Sequence, residues 1–123
     1  MPVPFVRIVA LPDGASRFVD DAADLADGDF APPAPPLGLS PVAPASASRF
    51  ICAAPGWDSP PHPAPARQWV VMVSGMVEAT TSDGVVRRFG PGTPVLVEDT
   101  HGQGHRTRVV SETPWQALVV VLD

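Results

Sequence analysis

The chain has a single cysteine, Cys52, so no disulfide can close within it, which fits a reducing compartment. A lone thiol of this kind reads as a small buried apolar residue rather than a nucleophile. Basic residues are few, eight Lys or Arg against thirteen Asp or Glu, giving a net charge of −5 and a pI near 4.9. They form no cluster or stripe, so nucleic acid and anionic membranes are not expected as partners. No run of about 18 apolar residues occurs, and nothing is expected to span a membrane as a helix. The N-terminal MPVPFVRIVALPDG lacks a charged segment followed by a long apolar run; no signal peptide is expected and the protein is placed in the cytoplasm. Nothing repeats at a fixed period, which excludes solenoids and propellers. Long helices are excluded by 17 prolines. What remains is 123 residues, 45% apolar, enough for one soluble domain with one core.

The chain reads as all-β. Phe5–Leu11 and Ser16–Val19 are β-like runs joined by the turn Pro12-Asp13-Gly14. Acidic Asp20–Asp29 reads as one helical turn or an exposed loop. The proline-rich stretch 31–47, APPAPPLGLSPVAPASA, favours extended conformation and reads as an arm lying on the barrel or on a partner subunit, since a linker would need a preceding domain. Residues 1–47 are thus expected to be N-terminal strands plus arm, and 48–123 a β-barrel. In the latter, Arg49–Ala53, Gln68–Val73, Met76–Thr81, Val85–Phe89, Pro94–Glu98, His105–Val110 and Trp115–Leu122 are short strands with turn residues between them, the pattern of a sandwich or barrel.

Side chains alternate across a strand, so residues of equal parity share a face. If the chain is extended through the prolines, His62, Ala64, Ala66, Gln68, Val70 and Met72 point one way; on the later strand His105, Thr107 and Val109 do the same. Two imidazoles, one amide and an apolar lining make a plausible small-molecule pocket. Trp69 is counted with the substrate-contacting residues, although Trp57, Trp69 and Trp115 all read first as packing.

The segments WDSPPHPAPARQWVVMVSG (57–75) and FGPGTPVLVEDTHGQGHRTRVV (89–110) resemble the two signature motifs of cupins. The resemblance covers about the last 70 residues and implies a double-stranded β-helix, or jelly-roll, barrel. In metal-binding cupins the first motif carries His-x-His, a Glu and a Gly, and the second motif a further His. The matching positions here are His62, Ala64, Gln68, Gly75 and His105. Ala64 has no donor atom and Gln68 only a neutral amide oxygen, a weak ligand. A divalent Fe, Zn, Mn or Ni would rest on His62, Gln68 and His105, with His101 as a further imidazole; the expectation is that no metal is required. The resemblance also implies a homodimer, with strands or arm covering a sheet edge.

Three functions fit these residues. The first is an isomerase, lyase or cyclase using His62, Gln68 and His105 for acid-base chemistry on a small carbonyl compound. The others are a metal-dependent dioxygenase-like cupin and a non-catalytic ligand-binding or sensing module. Glu98-Asp99 reads as a solvated strand end; Arg67, Arg106 and Arg108 as partners of surface carboxylates; and Gly102-Gln103-Gly104 as a tight connection. Ser74 has no nucleophile-elbow context.

Overall fold

A computed structural model describes residues 1–123 as eleven strands and no helix. They are β1 (Val3–Ala10), β2 (Ser16–Ala23), β3 (Ala26–Gly28), β4 (Leu37–Leu39), β5 (Ala45–Ala53), β6 (Gln68–Ser74), β7 (Val77–Thr81), β8 (Val86–Phe89), β9 (Val95–Val97), β10 (His105–Val109) and β11 (Trp115–Leu122). Six of them form one sheet in the order β2-β1-β9-β6-β11-β5, antiparallel except for β1 with β9. A three-stranded sheet, β10-β7-β8, faces it, and β3 and β4 pair as a separate ribbon. The result is the all-β jelly-roll barrel that the cupin resemblance implies. With no helix present, none is long and apolar enough to cross a membrane.

Period-two patterning builds the core. Val6 and Ile8 of β1, Met72 of β6, Val77 and Ala79 of β7, Val95 and Val97 of β9 and Ala117 of β11 are all buried and form one cluster with Phe89 and Val109. Both sheets contribute, so the core lies between them. Gly75 makes the turn from β6 to β7 at a φ of 74°, and a Cβ there would strike the Pro114 carbonyl and Trp115 backbone. That close approach brings the start of β11 against the end of β6.

The N-terminal half departs from expectation in three places. Asp20–Ala23 is neither helical nor loop: β2 runs through it, because β1 offers a ladder partner from Val3↔Ala23 to Ala10↔Ser16. A pairing edge overrides the loop-like composition of the acidic residues. Second, β1 lies inside the large sheet and supplies core residues, so the N-terminal strands are wall, not cover. Third, β5 begins at Ala45, since β11 is long enough to pair with it from Trp115↔Ala53 to Leu122↔Ala45. The proline-rich stretch between β4 and β5 is exposed.

Candidate active site

Residues 57–66 return across the open side of the barrel and are held to β10 by backbone pairing. The amides of His62 and His105 each donate to the other's carbonyl at 3.1 Å, and Asp58 bridges Arg108 in the same antiparallel sense. This approach depends on Gly104, whose φ is 69° and whose Cβ, if present, would run into the His62 carbonyl and the Pro63 nitrogen. The two imidazoles end up 5.8 Å apart between ring centres, tilted by 35°.

Each ring is fixed through Nδ1. His62 Nδ1–H donates to the Pro60 carbonyl at 2.9 Å, since a carbonyl can only accept. His105 Nδ1–H donates to Asp99 Oδ2 at 2.6 Å, and Asp99 is fully buried. Neither Nε2 has a hydrogen-bond partner, and that of His105 is not sealed from solvent. A buried carboxylate behind an imidazole selects the tautomer whose Nε2 lone pair faces outward. Asp99 Oδ1, by contrast, has no partner at all. The expectation of a solvated strand end at Glu98-Asp99 is therefore corrected: Val95, Val97 and Asp99 share the inner face, and only Glu98 turns outward.

The rings look into a cavity of about 160 Å³ whose lining includes His62, Ala64, Gln68, Val70, His105 and Thr107. A deeper extension of about 70 Å³ reaches Met72 and again touches Val70, His105 and Thr107. The strand-parity set thus converges even though 62–66 is loop. Four expected members do not join it, the first being Ala66, which lines the neighbouring groove instead. Trp69 points to the opposite face, where its ring meets Phe5 edge-on at 4.9 Å, because its neighbours Gln68 and Val70 take the inner side. Val109 is one layer deeper, packed in the core. His101 is exposed on the loop after Asp99 and lines neither cavity.

Other lining residues were not singled out from the sequence: Ile51 of β5, Val97 of β9, and Trp115 and Val119 of β11. Trp115 is buried, donates Nε1–H to Met72 Sδ at 3.1 Å, and stacks at 6.3 Å from Trp57, which stands half-exposed at the mouth. Two of the three tryptophans are pocket walls. Cys52 is exposed rather than buried, because Ile51 and Ala53 occupy the inner face of β5.

Charges around the site are paired on its outside. Glu98 accepts from Arg7 at 2.6 Å and from Arg67 at 2.8 Å, tying β1 and the approach to Gln68 onto the end of β9. Burial pushes the Glu98 carboxyl up, but the hydrogen bonds and charges of Arg67 and Arg7 outweigh it and hold the group below its usual range. Arg106 pairs with Asp58 and Arg108 with Glu78, both on the surface. The Arg106 hydrogen bond lowers Asp58, and the Arg108 hydrogen bond lowers Glu78.

A metal does not fit these donors. Ala64 offers none, Gln68 a neutral oxygen, and no three His, Cys, Asp or Glu side chains gather anywhere in the chain. The one carboxylate near the imidazoles is already engaged behind His105, so nothing anionic faces the cavity to compensate a divalent ion.

No family model and no curated protein matches the chain. Among the solved structures that resemble it are two. A conserved Streptococcus pyogenes protein of unknown function is 20% identical, with 62% of each chain covered and a TM-score of 0.46, so the chain spans just under two thirds of that protein's length. The Cupin_2 domain of an XRE-family transcriptional regulator from Enterobacter cloacae is 30% identical over 60% of this chain and 77% of the domain, with a TM-score of 0.45. The superpositions, both below 0.5, add nothing further; the sequence identity, over more than two thirds of a cupin domain, carries the assignment. This chain belongs to the cupin superfamily.

Proposed function

We propose that this cupin-domain protein is an enzyme that moves a proton on a small carbonyl compound held in the cavity, in an isomerase, lyase or cyclase type of reaction that needs no metal. The observation carrying this reading is the buried Asp99–His105 pair opening onto a cavity shared with a second imidazole. His105 Nε2 takes a proton from the carbon next to the carbonyl, and the electron pair passes to the carbonyl oxygen. Gln68 N–H or a protonated His62 stabilises that oxygen. Asp99 stabilises the imidazolium formed at His105. Return of the proton to another atom completes an isomerisation; loss of a leaving group from the neighbouring carbon completes an elimination. Water is limited by Val70, Trp115 and Val119, and the volume, below that of a typical drug-sized pocket, suits a small substrate.

The test is keto–enol interconversion of phenylpyruvate, followed by ultraviolet absorbance across pH. Catalysis that falls at least about tenfold in His105→Ala and in His62→Ala, with both variants folded, supports the reading. Equal rates in all three proteins would overturn it. A second reading, a ligand-sensing module, is supported by the 30% identity to a domain of a transcriptional regulator. It predicts ligand binding with no turnover. In either case the protein is proposed to be a cytoplasmic homodimer. The free edge of β5, carrying an exposed Phe50, and the exposed unpaired Cys52 support this, and sedimentation equilibrium tests the dimer.

A further inference from the structure

The eight basic residues of this chain are all arginines, and six of them are held by carboxylates: Arg7, Arg67, Arg87, Arg88, Arg106 and Arg108. A seventh, Arg17, is close enough to Asp83 to favour its charged form. Arg49 has no such partner. In a chain with thirteen carboxylates, an arginine left free is informative where it stands at a pocket.

Its position follows from β5. Ile51 and Ala53 pack against the core, so Arg49, two residues before Ile51 and in the middle of β5, takes the same inner face. At this mid-strand position it lines a groove of about 430 Å³ with Ser48, Pro65, Gln68 and Val119. Ile51, Pro65, Gln68 and Val119 line both this groove and the cavity of His62 and His105, so the two are continuous. No carboxylate lines the groove. The continuous space therefore brings together a free guanidinium, an amide and two imidazoles.

We infer that Arg49 binds a carboxylate group on the substrate, which makes the substrate a small carbonyl compound bearing an acid: the acid lies in the groove and the carbonyl end reaches the histidines. The inference rests on the acid-base reading above. A planar guanidinium matches a carboxylate through two parallel N–H···O bonds, and one guanidinium balances the single charge of a carboxylate. Because the protein as a whole is negative, this local charge also selects where an anion can dock.

The experiment is an NMR titration of the His62 and His105 ring protons at low salt. The probes are phenylpyruvate and levulinate, each against its methyl ester. The wild type is expected to bind each acid about tenfold more tightly than its ester, as one charge-assisted contact at a partly exposed site would give. Arg49→Gln should erase that preference, while Arg49→Lys keeps part of it as a point charge, and added salt should narrow it. Both substitutions leave the β5–β11 backbone ladder intact. If acid and ester shift both histidines with equal affinity, or if the preference survives in Arg49→Gln, the Arg49 inference is overturned and the cavity reading stands. If no probe perturbs either ring, both fall together.

Discussion

Replacing Asp99 by Asn isolates the role of charge behind His105. The side chain is fully buried and its Oδ2 lies 2.6 Å from His105 Nδ1, so the substitution changes one charge-assisted hydrogen bond into a neutral one. That exchange alone costs about 1–2 kcal/mol. Against it stands relief of a buried carboxylate whose Oδ1 is unpartnered, and desolvation of such a group is worth several kcal/mol before compensation. The relief is the larger of the two, so Asp99→Asn should be at least as stable as wild type in urea unfolding. The ring is another matter. An Asn oxygen still accepts from Nδ1–H, but its amide nitrogen can equally donate to Nδ1, so both tautomers of His105 become accessible. Long-range nitrogen–proton NMR spectra should show Nδ1 protonated in wild type and a mixture in the variant. Proton-transfer activity should fall between about 10²- and 10⁴-fold. Destabilisation above about 3 kcal/mol with an unchanged His105 tautomer would refute this reasoning and make Asp99 a structural strut.

Two further outcomes can be checked independently. Gly104→Ala should cost about 1–2 kcal/mol for its left-handed backbone plus the displacement of the His62 strand, whereas Gly84→Ala, at a φ of 84° with open space around it, should cost the backbone term alone; equal urea midpoints for the two would contradict the close contact between Gly104 and His62. Glu98→Gln should cost about 1 kcal/mol at neutral pH, since its arginine partners are partly exposed. Because the folded Glu98 carboxyl lies below its ordinary value of 4.5, the unfolded chain binds the proton first: the contribution is whole above that value and is lost as pH falls through the folded one. The gap between wild type and variant should therefore close on acidification, and a gap that is flat with pH would sink the ion-pair account.

Strands from β6 onward are legible because β-branched runs end at glycine, proline or aspartate, and each bears enough apolar residues on one face to be buried. The N-terminal half was harder for a physical reason. Asp20–Ala23 and Ala45–Ser48 are polar or small and carry no hydrophobic alternation; they are extended because long neighbours, β1 and β11, offer hydrogen-bond ladders. A strand specified by its partner leaves little trace in its own residues.

The site divides in the same way. Parity alone groups His62, Gln68, Val70 and Met72, and the same rule, applied strictly, puts Trp69 outside, Asp99 beside Val95 and Val97, and Trp115 beside Ala117 and Val119. What parity cannot supply is depth: whether an inward Asp ends in water or against a ring depends on the 99–104 loop closing on His62, which Gly104 permits. This placement bears on the two imidazoles that stand beside an incomplete ligand set. A carboxylate that ligates an ion has to face the cavity; here the inward-facing group is the neutral Gln68, and the carboxylate sits behind His105. From behind, it cannot coordinate an ion in the cavity, but it can fix the ring and balance a proton on it. That is the arrangement the proposed acid-base role needs: His105 as the base and His62 as its neighbour.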